Sequence, residues 1–227
     1  MPGGSFSDRL LGRVRSCWRL KIQLTIALLI LFDVPYFLIG HYPVFPVHTL
    51  PLSAIDRAIG FHPAGWVWVY QSFYLLLNLV PWLAREPFEL KRYLRGFVIV
   101  SIVSFACFVT YPIRGPQPDP HDAGGMYWLL RQYDVTLNSL PSLHAGLLVY
   151  TVCFARRIGV LRISFIVWTM LILYATLATK EHYLIDIVAG SVLAFLADAW
   201  VWRDQASTEP AVRNTSSSSE SIVAGRR

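Results

Sequence analysis

Charge is scarce in this chain. Asp, Glu, Lys and Arg make up 15% of its 227 residues, against 55% hydrophobic residues. A soluble domain carries roughly 25% charged residues, so a water-facing globule is excluded and a bilayer becomes the solvent for most of the chain. Cysteine is scarcer still: Cys17, Cys107 and Cys153 stand far apart in the sequence. That spacing offers neither a disulfide framework nor a thiolate metal cluster, and the three read as small apolar fillers. Acidic residues are outnumbered 14 to 20 by Lys and Arg, a net charge of +6. The surplus is not gathered on a face that could follow nucleic acid; it falls between long apolar runs, the arrangement of a membrane protein. No internal repeat and no separate soluble domain remains once those runs are removed.

A membrane crossing needs about 20 mostly apolar residues. Six stretches qualify, near 20–40, 64–84, 94–112, 143–159, 161–179 and 182–202. The expected fold is an all-α integral membrane protein, a bundle of six transmembrane helices over residues 20–202. A basic segment precedes it at 1–19 and a polar, Ser-rich tail, expected to be disordered, follows at 203–227. The first run is long and lacks a small-residue cleavage site, so it reads as a retained anchor. With the N-terminus placed in the cytoplasm, sixteen of the 20 Lys and Arg fall on the inside. Only Arg57, Arg114, Arg131 and Lys180 fall outside. This bias sets both termini in the cytoplasm.

The first outer loop, about 41–63, holds a short interfacial helix on which Leu52, Ile55 and Ile59 oppose Asp56 and Arg57. The second, about 113–141, opens on prolines that preclude helix and carries a short surface helix around Met126–Arg131. Asp33 within the first run is either a functional carboxylate or an interfacial one. Asn78 and Pro81 mark packing and a kink. Asp198 reads as an interface residue near the cytoplasmic end.

Chemistry gathers at the outer ends of the third, fourth and sixth runs. There the topology collects Arg114, Ser142, His144, Lys180, His182 and Asp186. Ser142 stands before an apolar run as an N-cap, and the helix it starts offers free N–H groups to an anion. His144 falls in the first turn of that helix, placed to exchange a proton with a phosphate oxygen. His182 and Asp186 are four apart at a helix start and share a face. A carboxylate on the His ring fixes its tautomer and stabilises the imidazolium. The ring so held is a competent nucleophile toward phosphorus. Arg114, Lys180 and the helix start at Ser142 are the groups that balance charge on the phosphoryl oxygens. Beside these readings stand plainer ones: a structural His–Asp bond, a Lys180 that snorkels to headgroups, an Arg131 that is a surface helix residue. His41, His48, His62 and His121 read as interface residues. Glu181 is expected to point off the face of His182. Two histidines without further ligands, among cations, leave no metal site.

At these residues the chain resembles the type 2 phosphatidic acid phosphatase superfamily, whose signatures are K-x6-R-P, P-S-G-H and S-R-x5-H-x3-D. The second is matched by Pro141-Ser142-Leu143-His144 and the third by its His182-x3-Asp186 half. Ala175 and Thr176 stand in place of its Ser and Arg. Arg114 fits the first, with Cys107 where the Lys belongs and Gly115 where the Pro belongs. Thr179-Lys180-Glu181-His182-Tyr183 looks more like the branch that contains inositol phosphorylceramide synthase. The resemblance implies a six-span, metal-independent and cofactor-free membrane enzyme with its site on the extracytoplasmic side. It would cleave a lipid phosphoester through a phosphohistidine on His182. Asp186 would orient that ring, His144 would be the general acid, and Arg114 and Ser142 would hold phosphate with Lys180 as helper. The branch leans toward transfer of a phospho-headgroup to an alcohol or polyol acceptor rather than to water. A second class remains beside it, a non-catalytic lipid-binding or partner-organising membrane protein of the same fold.

Overall fold

The computed structural model describes residues 6–118, 125–134 and 137–203. The tail from 204 onward, and His121 in the second loop, lie outside the described residues. The described chain is mostly helical: α1 (Phe6–Arg15), α2 (Trp18–His41), α3 (Ala54–Ala58), α4 (Pro63–Gln71), α5 (Phe73–Trp82), α6 (Pro87–Thr110), α7 (Gly125–Tyr133), α8 (Leu143–Arg157), α9 (Ile163–Ala178) and α10 (Leu184–Arg203). Three of these, α2, α6 and α10, are long and apolar enough to cross a membrane. The expected runs at 64–84, 143–159 and 161–179 appear as the α4–α5 pair, α8 and α9, each helix shorter than that length.

The α4–α5 pair breaks at Ser72, whose hydroxyl bonds back to the Val69 carbonyl at 2.6 Å. Such back-bonding competes with the helical ladder and bends the chain. Helix α6 starts where sequence signals put a start, with Pro87 in its first turn and a reciprocal capping box between Glu86 and Glu89.

Helix α8 is the axis of the molecule. Ser142 caps it, accepting a hydrogen bond from the Ala145 N–H at 3.2 Å, and its residues from Leu143 to Leu148 are all buried. Helices α5, α6 and α9 pack around it. Helix α10 lies beside it in the same direction, because the Ser142 N–H bonds the Asp186 carbonyl at one end and Arg157 pairs with Asp198 at the other. Close approach is possible because both helices present glycine. A Cβ on Gly190 would lie 2.2 Å from the Ser142 oxygen, and one on Gly146 would lie 2.9 Å from Val100. Parallel α8 and α10, joined by the returning α9, necessarily bring their N-termini to one end.

The outward sides are apolar. Ile26, Ile30, Val34 and Leu38 on α2, and Val188, Val192 and Leu196 on α10, are exposed at four-residue spacing, a stripe suited to lipid tails. Among the described residues, the loops at the N-terminal end of α8 carry a short extended departure from the helical plan. His48–Thr49 pairs in parallel with Ile113–Arg114 as a two-residue ladder. Proline-rich flanks deny these segments helix and leave them extended, and the ladder ties the first outer loop to the second.

Candidate active site

Two helix ends and a capped loop build the site. At the end of α9, Glu181 N–H bonds the Thr176 carbonyl at 2.9 Å and Lys180 N–H bonds Leu177 at 3.2 Å. This is a Schellman closure with Lys180 in the left-handed position, φ 58°. The same closure ends α8 with Gly159 at φ 69°, the residue that ordinarily fills it. A lysine there costs about 1 kcal/mol of backbone strain. The compensation is visible: Lys180 Nζ donates to the Asp56 carbonyl at 2.6 Å and to the Ile59 carbonyl. Asp56 in turn accepts from the Leu184 N–H at 2.8 Å, capping α10, and from Ser53 N–H at 2.9 Å, capping α3. Burial pushes the Asp56 carboxyl up, but the bonds from Ser53 and Leu184 and the Lys180 charge outweigh it and hold the group below the usual carboxylate range. The short helix α3 therefore locks the turn that carries His182.

From that turn the two imidazoles meet. His144 Nδ1 and His182 Nε2 are 3.0 Å apart, and both rings are buried. On the far side of His144, Tyr70 Oη lies 3.1 Å from Nε2. On the far side of His182, Asp186 Oδ2 lies 3.5 Å from Nδ1. Asp186 is fully buried and is itself held by the Ser139 hydroxyl and by the Tyr183 N–H at 2.9 Å. At 3.5 Å this is charge proximity and not a good hydrogen bond, so Nδ1 has no bonded partner among the described residues and the acceptor-only carboxylate orients the ring through its charge. His182 keeps its proton on Nδ1 and leaves Nε2 as a lone pair. His144 then donates Nδ1–H to that lone pair and accepts from Tyr70 at Nε2. The tautomers follow from the network.

A small cavity of about 10 Å³, on the threshold for a single water, adjoins the pair. Tyr36, Tyr70, Gln117, Asn138, Ser139, His144, Glu181 and His182 line it. The structure thus brings together His144, His182 and Asp186, as the sequence predicts. The three residues expected to hold phosphate are placed otherwise. Ser142 uses its hydroxyl as the α8 cap, and Lys180 holds α3. Arg114 is exposed on the ladder opposite Thr49 and does not line the cavity.

Glu181 reverses its expectation. The wheel argument put it off the face of His182, but Lys180's left-handed backbone resets the register and turns Glu181 inward, 3% exposed, to line the same cavity. Tyr70, Ser139 and Glu181 were not singled out; only the unusual Lys in a helix-ending position could have signalled the last. Asp33 is half-buried and accepts from Tyr74 Oη at 3.3 Å, away from the histidines.

A family model described as the PAP2 superfamily matches residues 62–200, a segment that holds every member of the His–His–Asp chain. No curated protein and no solved structure matches the chain.

Proposed function

Because the chain belongs to the PAP2 superfamily, we propose that it is an integral-membrane lipid phosphoesterase whose nucleophile is His182. The observation that carries this reading is the meeting of His144 Nδ1 with His182 Nε2 at 3.0 Å, with Asp186 behind the second ring. In the proposed reaction, Nε2 of His182 attacks phosphorus and the bond to the ester oxygen breaks. His144 enters this step as the imidazolium, stabilised by the bound phosphate's charge. It gives its Nδ1 proton to that leaving oxygen and is left a neutral ring protonated on Nε2, with Nε2–H turned to Tyr70 Oη. A phosphoryl group inserted between the two nitrogens lies in line, with the nucleophile on one side and the acid on the other. The rings must part to roughly 6 Å or more to admit it. Asp186 stabilises the imidazolium character that develops on His182. Water then takes the phosphoryl group from His182 with His144 as base, and an alcohol or polyol acceptor would take it the same way.

The inositol phosphorylceramide synthase-like form of Thr179–Tyr183 supports a lean toward transfer to such an acceptor. The six-span topology, with cytoplasmic termini and the site on the extracytoplasmic side, rests on the distribution of Lys and Arg along the sequence. Purified protein given a lipid phosphate labelled on phosphorus, with and without an inositol-type acceptor, tests both parts. Labelled phospho-acceptor is expected; release of free phosphate alone would leave a phosphatase. An active wild type with unchanged turnover in His182→Ala would remove the nucleophile; a wild type without turnover would leave the non-catalytic reading.

A further inference from the structure

One flank of the histidine cavity holds a buried charge cluster that the reaction outlined above does not use. Helix α7 lies over it, with Tyr127 edge-on to Phe61, ring centroids 5.2 Å apart. From its last turn Arg131 points inward, its side chain 7% exposed. Its Nη1 stands 3.7 Å from Glu181 Oε2, an ion pair at a distance too long for a good hydrogen bond. Gln117 Nε2 donates to that same oxygen at 2.9 Å. Asp134 stands beside Glu181, and six further polar atoms of the cluster are buried without a hydrogen bond to the described residues: Arg131 Nε and Nη1, Glu181 Oε1, Gln117 Oε1, Tyr127 Oη and Asn138 Oδ1. Three of those residues, Gln117, Asn138 and Glu181, line the cavity beside His144 and His182.

Buried polar groups in native proteins are nearly always paired. A run of unpaired ones, with Gln117, Asn138 and Glu181 on the cavity wall and Arg131 and Tyr127 behind them, donors and acceptors mixed, marks a place where a polar ligand completes the bonding. The donors identify the ligand. A guanidinium presents a planar fork suited to two oxygens of a phosphate. The charge around it is otherwise thin: Cys107 and Thr176 stand where the phosphatase signatures place Lys and Arg, Arg114 is exposed, and Lys180 is bonded to α3 carbonyls.

We propose that Arg131 is the cation that holds the substrate's phosphate beside His182, with the Glu181 carboxyl as the neighbour it leaves to do so. The inference rests on the phosphoesterase reading above. In the exchange, Arg131 shifts its two unpaired N–H groups from the neighbourhood of Glu181 to two phosphoryl oxygens. Below about pH 8 Glu181 already holds its proton, so Arg131 leaves a neutral carboxyl and its charge turns to the phosphate. Burial, and then the neighbouring Asp134 carboxylate, push the Glu181 pKa up to about 8 against the opposing pull of Arg131 and Gln117; the carboxyl therefore holds its proton at neutral pH, and Asp134 is the remaining carboxylate beside it. The phosphate site would thus be assembled from a loop helix, α7, and not only from the helices that carry the histidines.

Full-length protein in detergent micelles, titrated with orthovanadate and followed by inhibition of lipid phosphate hydrolysis and by thermal shift, tests this. Arg131→Met is expected to weaken vanadate binding about 10²-fold and to raise KM for the lipid more than it lowers kcat. Arg131→Lys, which keeps charge but not the fork, should recover part of the loss. Glu181→Gln copies the protonated carboxyl, so vanadate binding should stay level at pH 7 and be severalfold tighter than wild type above about pH 8, where wild-type Glu181 ionises. Wild-type protein that is inhibited by vanadate, with Arg131→Met binding it equally well, overturns the assignment of Arg131 while the phosphoesterase reading stands. Lower thermal stability in Arg131→Met and Glu181→Gln, with vanadate affinity unchanged in both, overturns it in favour of a structural ion pair. Wild-type protein that neither hydrolyses a lipid phosphate nor shifts its melting with vanadate overturns both.

Discussion

Two buried polar clusters, one at each end of the helix bundle, are satisfied to opposite degrees. At the end where α1 meets α5, Lys21 is 1% exposed, and its ammonium donates to the carbonyls of Arg13 at 2.6 Å, Trp82 at 2.8 Å and Ala84 at 2.9 Å. Arg13 adds a bond to Leu83 and Ser16 another to Ala84. The end of α5, whose last carbonyls have no helical partner, is closed by side chains from α1 and α2. At the other end, His182 Nδ1, Asp186 Oδ1, Glu181 Oε1 and Arg131 Nε are buried and unpaired. A fully bonded buried charge is a fastener. A partly bonded cluster holds free energy in reserve for a ligand, and it is there that the chemistry belongs.

The contrast breaks most visibly by exchanging losses between the ends. His182→Ala should cut turnover by about 10³-fold or more with a melting temperature near wild type, because one ring of an under-bonded cluster holds little of the fold. Lys21→Met should do the reverse. It strands three carbonyls and is expected to cost about 3 kcal/mol of stability, read as a lower melting temperature, while turnover per folded molecule stays level. A Lys21→Met protein with normal melting and lost turnover would erase the distinction between the two ends.

Next in size is the join on which the site depends. Gly190 lets α10 approach the Ser142 carbonyl so closely that a Cβ would sit 2.2 Å from it. Gly190→Ala must push α10 away from α8 there, and backbone oxygen cannot turn aside as a side chain can. A displacement near 1 Å at the His144–His182 contact should lower kcat about 10²-fold, with Ala at Gly12, which has open space around it, as the silent control. Equal losses in both variants would mean that helix approach at Gly190 does not set the histidine geometry.

How much of this the sequence carried follows the same division. Apolar length and the placement of Lys and Arg gave the helical runs, and the spacing of His144, His182 and Asp186 gave the centre of the site, since both depend on local periodicity. What escaped depends on contacts across the chain. Lys180 looked like a phosphate ligand because its charge and position fit; its bonds to α3 carbonyls are decided by a turn more than 120 residues earlier in the sequence. Glu181 was turned the wrong way because helical phase was carried across a residue whose φ is 58°. Ser142 was read correctly as a cap, and that same bond uses the hydroxyl that was also expected to meet phosphate. Tyr70 gave no signal at all, being one aromatic among many in an apolar run.

The most direct probe of the under-bonded end reads a slope with pH and not a loss. Burial first, and the Asp134 carboxylate second, raise the Glu181 pKa to about 8, with Arg131 and Gln117 pulling the other way. An unfolded Glu titrates near about 4.3. Between those values the folded chain holds a proton that the unfolded chain has released, so stability falls as pH rises and levels off above about pH 8. Glu181→Gln keeps the hydrogen-bonding shape and removes the titration. Subtracting the two melting curves cancels Asp134, Arg131, His182 and every other group common to both. The difference should widen from about pH 5 to about pH 8 in favour of the Gln variant and then hold constant. A difference that stays flat over that range would place the Glu181 proton elsewhere, and with it the idea that this end of the bundle stores an unmet charge.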